Sequence, residues 1–154
     1  MSRKKEKSRE KLNAIKLAIV AGIGSIGGWI VNQLGGWSED LNTLLVFMGA
    51  DFILGLLIAA VWKKSGKSQN GALNSVSAWK GLCRKGASLL VVLIANRLDV
   101  TLGVAYIRTA VIIAFIANEG ISVVENLGIM GVPLPNVLKK AIDVLKEKSE
   151  MEEN

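Results

Sequence analysis

The sequence contains no histidine and only one cysteine, Cys83. A single chain can therefore form neither an internal disulfide nor a Cys/His metal site of the zinc type. For Cys83 itself, an inert thiol beside a membrane surface and an acylated thiol are both compatible with the sequence. We predict no metal and no cofactor.

Aromatic residues make up 5% of the chain, and the net charge is +6, from 19 basic and 13 acidic residues. A nucleic-acid site would require a basic face on a folded domain, with aromatic side chains for stacking. Here the basic residues lie in tails and loops that flank apolar segments, so we predict no nucleic-acid partner.

Catalytic motifs of hydrolases, metalloproteases and nucleotide-binding enzymes are also missing. The segment from Gly22 to Gly27 matches G-x-G-x-x-G by letter. No strand precedes it, so we interpret its glycines as helix-packing residues. We predict that the protein is not an enzyme.

The sequence is rich in aliphatic and small residues. It is 51% hydrophobic and includes 16 glycines, and its mean hydropathy is +0.40. This composition favours an all-α membrane protein with closely packed helices. Within a membrane domain of residues 17–128, length and charge predict four transmembrane helices, at about 17–34, 41–62, 84–99 and 104–127.

The first predicted span follows a basic tail, residues 1–16, and has no charge from Leu17 to Leu34. Such a segment extends about 27 Å as a helix, close to the ~30 Å hydrocarbon core. A cleaved signal peptide has the same general form and is the alternative. Small residues recur at every fourth position and predict a helix-packing surface formed by Ala18, Gly22, Gly24 and Gly28.

The connector after the second span decides the predicted orientation. Residues 63–85 contain six basic and no acidic residues, and the positive-inside rule places such a segment in the cytoplasm with the basic N-terminal tail. We therefore predict that both termini are cytoplasmic. The residues assigned to this topological role are Lys63, Lys64, Arg84 and Lys85.

The chain after the fourth span predicts a different kind of helix. Pro133 and Pro135 end the span, and residues 129–154 predict a cytoplasmic amphipathic helix followed by a charged, disordered end. The helix is expected either to lie on the inner membrane surface or to pack on neighbouring helices.

Polar residues inside the spans are the candidate functional residues, because a charge near the membrane centre costs roughly 2.5–3.5 kcal/mol. On the fourth helix, Arg108, Glu119 and Asn126 fall within roughly 20° of one another. Asp51, near the centre of the second span, should be protonated or paired, and we predict Arg108 as its partner. A structural pair and a part in triggering or conduction are both open. The full candidate set is Asp51, Arg108, Asn118, Glu119, Ser122, Glu125 and Asn126.

Three segments together resemble the phage holins of the toxin-secretion/phage-lysis family. They are MGADFILG from Met48, WKGLCRKGASLLVV from Trp79, and IRTAVIIAFIANEGISVVEN from Ile107 with the following GVPLP. The family commonly has D-[YF]-x-T-G where this chain reads Asp51-Phe-Ile-Leu-Gly55, and an acidic-then-basic pair where it reads Arg97-Leu-Asp99. The resemblance implies functional roles for Asp51 and Arg108, and weaker matches at Arg97 and Asp99.

The resemblance also implies a multi-pass protein of the bacterial inner membrane. Such a protein oligomerises and, at a set time, forms lesions through which an endolysin, or a large toxin, leaves the cytoplasm for host lysis. Its implied partners are further copies of the chain and membrane lipid, with no direct contact needed to the released protein. Two other functions fit the same polar helix face: a small selective ion channel or transporter, and an antiholin-like regulatory subunit.

Overall fold

The computed structural model describes residues 2–62 and 75–152, and every regular element in this part of the chain is helical. The all-α prediction is confirmed for these residues. A five-residue π-helical segment, Ile58–Trp62, continues the second helix. The α-helices are α1 (Ser2–Gln33), α2 (Glu39–Leu57), α3 (Ser75–Leu102), α4 (Ile107–Ile129) and α5 (Asn136–Glu152).

Three stretches are long and apolar enough to cross a membrane, and they correspond to the first, second and fourth predicted spans. They are Arg9–Gln33, Glu39–Trp62 and Ile107–Ile129. At about 1.5 Å per residue, α3 is also long enough to span, but its composition does not identify it as a membrane helix. The reason is its five charged residues, Lys80, Arg84, Lys85, Arg97 and Asp99.

The chain divides into two compact units, Met1–Gly36 and Trp37–Asn154. The first unit is α1, in which the predicted basic tail and the predicted first span form one continuous helix. Its side chains are exposed from Arg9 to Ile30.

The predicted packing surface of α1 is open. Ala18 is exposed, and nothing lies within 4 Å of the position that a Cβ would take at Gly22, Gly24 or Gly28. Contact of these residues with another helix therefore stays a prediction.

In the second unit, α4 packs against α2, α3 and α5. Each of the three longer helices of this unit buries one stripe of residues at helical spacing, as expected for a face turned toward neighbours. The buried residues are Leu41, Leu44, Met48 and Asp51 on α2, Val92, Ala95 and Asp99 on α3, and Ile112, Ile116, Ala117, Glu119 and Gly120 on α4. Because acidic residues lie on the same stripes as the apolar ones, packing of the helices brings them into the interior.

A short turn joins α3 to α4 and makes the two helices antiparallel neighbours. Gly103 has a φ of 68°, a value that glycine adopts without the steric cost of a Cβ. The Val104 N–H donates to the Asp99 carbonyl at 3.0 Å and closes the end of α3.

Helix α5 packs against α4. Gly131, with a φ of 78°, ends α4, and the Val132 N–H donates to the Leu127 carbonyl at 3.0 Å. Buried Ile142 then packs at Gly120, where an added Cβ would lie 2.7 Å from Ile142 Cδ1. Of the two arrangements expected for the amphipathic helix, the structure therefore has the one packed on a neighbouring helix.

Two predictions about helix ends were wrong. The third span was predicted from residue 84, but α3 already begins at Ser75, so residues 75–83 of the predicted connector are helical as well. Lys63 and Lys64 lie outside the described residues. The predicted disordered end is helical as far as Glu152, which is consistent with its content of Lys, Glu and Met, all good helix formers.

Candidate functional site: a buried ion cluster

Four polar side chains from three helices meet in the interior of the second unit. Lys85 on α3 donates to Asp51 Oδ2 on α2 at 2.8 Å, and also to Glu119 Oε2 on α4. The Asn126 amide on α4 donates to the second oxygen of Asp51 at 2.9 Å. We call Asp51, Lys85, Glu119 and Asn126 the central cluster.

The central cluster is shielded by the helices that form it. The side chains of Lys85, Asp51 and Glu119 are 14%, 8% and 10% exposed. Removing one member of a buried ion pair costs roughly 3–5 kcal/mol, because the remaining charge stays buried without its partner. A single ammonium shared by two carboxylates therefore ties α2, α3 and α4 to one another.

The position of the central cluster along the helices is close to their middle. Asp51 is twelve residues from the start of the Glu39–Trp62 stretch, and Glu119 is twelve residues from the start of α4. Twelve residues correspond to about 18 Å of helix. If these stretches cross a bilayer, the charges are at hydrocarbon depth, where they require protein or water around them.

A second polar group, which we call the end cluster, joins the start of α2 to the start of α4. Arg108 Nη2 donates to Ser38 Oγ at 2.8 Å, and Arg108 Nη1 is 3.8 Å from Asp40 Oδ2. Asp99, at the end of α3, accepts from the Ile107 and Arg108 backbone N–H groups, each at 2.9 Å. The first N–H groups of a helix have no partner within the helix, so Asp99 supplies what α4 lacks at its first turn.

The predicted pair of Asp51 and Arg108 was wrong. Arg108 contacts Asp40, which is eleven residues before Asp51 on α2, a separation of about 16 Å along a helix. The prediction placed the start of the fourth helix at residue 104. It begins at Ile107, so Arg108 lies in the first turn, level with the first turn of α2.

The structure places the remaining candidates of α4 on two sides of the helix. Glu119 and Asn126 belong to the central cluster, and Ser122 is half-buried. Asn118 and Glu125, one residue before each cluster member, are exposed. These candidates therefore form an inner row and a neighbouring outer row on α4.

Sequence reasoning missed the role of Lys85, which it assigned to membrane topology. Lys85, Val92 and Asp99 are spaced by seven residues, which places them on one helix face. All three lie within the predicted span of residues 84–99, so that spacing was an available signal, and it was passed over because Lys85 was assigned to membrane topology. Arg84, the other topological residue in this helix, is exposed.

No group of three or more His, Cys, Asp or Glu side chains suited to a metal ion occurs in residues 2–62 and 75–152. Within the same residues, every buried side-chain nitrogen and oxygen atom has a hydrogen-bond partner. The ammonium of Lys85 itself occupies the position between the two carboxylates.

Three stretches have a membrane-spanning composition, and charged side chains pair with one another between the helices. This combination is typical of a helical membrane protein. The chain belongs to the bacteriophage holin family, because a sequence model of that family matches residues 28–147. The resemblance seen in the sequence is thereby confirmed. Family membership supports a holin role and indicates a non-enzymatic membrane protein.

Similar proteins occur in a phage and in bacteria. A probable holin of Bacillus phage phi105 is 35% identical over 111 residues, which cover 71% of this chain and 76% of the phage protein. An uncharacterised 14.9 kDa protein of the nagH 3' region of Clostridium perfringens is 38% identical over 139 residues, 89% of this chain and 96% of that protein. An uncharacterised Listeria monocytogenes protein is 36% identical over 133 residues, 84% and 86% of the two chains. No solved structure matches the chain.

Proposed function

We propose that this protein is a holin that oligomerises in the bacterial inner membrane and forms lesions through which an endolysin, or a large toxin, leaves the cytoplasm. Membership of the holin family supports the role. The observation that carries the mechanism is the Lys85 ammonium held between Asp51 and Glu119. This contact buries three charged groups between apolar helices. The stability of the arrangement depends on whether protein, lipid or water surrounds the charges.

In this proposal α1, α2, α3 and α4 each cross the membrane, and both termini are cytoplasmic. The span of α3 is supported by its contacts with α4, which has a membrane-spanning composition. Asp99 binds the start of α4 and Lys85 binds its middle. Fourteen residues of α3, about 21 Å of helix, therefore run beside the first half of α4.

The central cluster is stable between packed helices or in water, and it is unstable in lipid. With α2, α3 and α4 packed together, the Lys85 ammonium lies between the two carboxylates, and the Asn126 amide donates to Asp51. If the helices separated into lipid, three charges at roughly 2.5–3.5 kcal/mol each would cost about 8–10 kcal/mol in total. If water replaced the lost contacts, most of this cost would disappear. Separation of the helices is therefore coupled to a water-lined assembly, which is what a lesion requires.

The open glycine face of α1 provides a surface for contact between copies. Close approach of two helices at small residues is a common form of helix association in membranes. In the proposal, α1 contributes to oligomerisation, while the central cluster controls when the other helices rearrange.

The proposal is tested by induced expression in a bacterium that holds a cytoplasmic reporter enzyme, with membrane potential followed in the same culture. A holin should cause loss of potential and release of the enzyme together, after a delay. Loss of potential without enzyme release would instead indicate a selective channel or transporter. Membrane insertion with neither effect would indicate a regulatory subunit of the antiholin kind.

A further inference from the structure

We infer that α3 and α4 carry the two halves of a contact between copies of this chain, in which Lys80 and Arg84 of one copy face Glu125 and Asn118 of another. The inference rests on the proposed function, because it specifies a surface of the proposed oligomer. The partner is a second copy inserted in the same orientation.

The four residues form two exposed polar rows. Lys80 and Arg84 are four residues apart on α3, and Asn118 and Glu125 are seven apart on α4, so each pair shares a helix face. All four are exposed while α5 is docked on α4. In the described part of the chain, neither Lys80 nor Glu125 takes part in an ion pair. Exposed charges on membrane-spanning helices are costly in lipid, so a polar neighbour would stabilise these rows.

The rows match in depth, and the central cluster provides the common reference. Lys85 binds Glu119, and Asp99 binds the start of α4, so the two helices are antiparallel. Lys80 is five residues from Lys85 toward the start of α3, about 7.5 Å, and Glu125 is six residues from Glu119 toward the end of α4, about 9 Å. Both displacements point the same way, so the charges differ in depth by only about 2 Å.

Arg84 and Asn118 form the second level of the match. Arg84 precedes Lys85 on α3, and Asn118 precedes Glu119 on α4. Because the two helices are antiparallel, these one-residue displacements point in opposite directions, so the two side chains differ in depth by about 3 Å. Every copy therefore presents a basic row and an acidic or amide row at corresponding depths. Any second copy with the same orientation completes the contact without a further protein.

The test uses charge reversal in full-length chains that carry either of two affinity tags. Lys80→Glu alone and Glu125→Lys alone should each reduce co-isolation of the two tagged copies from solubilised membranes about tenfold, because like charges then face each other. The two single variants expressed together should recover it. In that mixture every contact between unlike copies joins opposite charges, while contacts within each copy remain repulsive.

Lys139→Glu and Asp143→Lys, on the exposed side of α5, serve as matched controls and should co-isolate like the unaltered chain. Normal co-isolation of both single reversals would overturn the inference. So would recovery in the Lys80→Glu/Glu125→Lys chain without recovery in the mixture, since the contact would then lie within one copy. If Lys80→Glu fails to insert, Arg84→Glu mixed with Asn118→Lys tests the second level of the same surface. Reporter release by the unaltered chain separately decides the proposed function.

Discussion

Replacement of Lys85 by methionine removes the only ammonium of the central cluster and keeps a side chain of similar length. Asp51 and Glu119 would then remain buried with no cation between them, and Asp51 would keep only its bond from the Asn126 amide. Lys85→Met is therefore expected to destabilise the packing of α2, α3 and α4.

The expected magnitude follows from the burial of all three charged side chains. Loss of one member of a buried ion pair costs roughly 3–5 kcal/mol, which lowers the equilibrium constant for the folded state roughly 100- to 4,000-fold. Neutralising the carboxylates as well, in Lys85→Met/Asp51→Asn/Glu119→Gln, should restore most of the loss. The reason is that a neutral set of similar shape leaves no charge buried without a partner.

Denaturant unfolding in lipid micelles, followed by tryptophan fluorescence, measures the stability of both variants. Lys139→Met makes the same chemical change at an exposed position of α5 and should shift the transition little. In cells, Lys85→Met is expected to cause earlier reporter release than the unaltered chain. Equal unfolding transitions for Lys85→Met and Lys139→Met would refute the view that the cluster holds the helices together.

Three further predictions concern other contacts. Asp99→Ala removes both carboxylate oxygens that accept from the first N–H groups of α4 and should cost about 1–2 kcal/mol in denaturant unfolding. Asp99→Asn should cost less, and equal stability of Asp99→Ala and the unaltered chain would contradict the capping role. Arg108→Gln should cost about 1.5–3 kcal/mol by the same measurement, since it ends the hydrogen bond from the guanidinium to Ser38 and the charged contact with Asp40. An unchanged transition would show that these side-chain contacts of Arg108 contribute nothing. Gly120→Leu should push Ile142 away and speed hydrogen exchange in α5. Gly128→Leu should leave the exchange of α5 unchanged, because nothing lies within 4 Å of a Cβ added there. Similar exchange in the two variants would rule out the docking of α5 at Gly120.

The sequence predicted the helices better than it predicted their ends. Three predicted spans coincide with stretches of membrane-spanning composition, because long apolar segments have few other stable structures in a membrane protein. The start of α3 was misplaced because its first residues, from Ser75 to Lys85, include three basic residues and no long apolar run. Helices of that composition are stabilised by tertiary contacts more than by propensity, and no local signal reports those contacts.

Candidate residues were found from the sequence, but their partners were not. Helical spacing correctly grouped Glu119 with Asn126, since periodicity fixes the angle of a residue around its own helix. It could not assign Asp51 to Lys85 or Arg108 to Asp40. An ion pair requires atoms within about 4 Å, and an error of three residues in a helix start displaces a side chain by about 4.5 Å.

The sequence by itself determined that this protein is built from apolar helices, that Asp51 and Glu119 lie within them, and that the chain resembles holins. Tertiary structure alone decided which charges meet, because the offset and rotation between helices are set by packing across the whole bundle. It therefore assigned Lys85 to the interior, and it separated the buried row of α4, with Glu119, from the exposed row with Glu125.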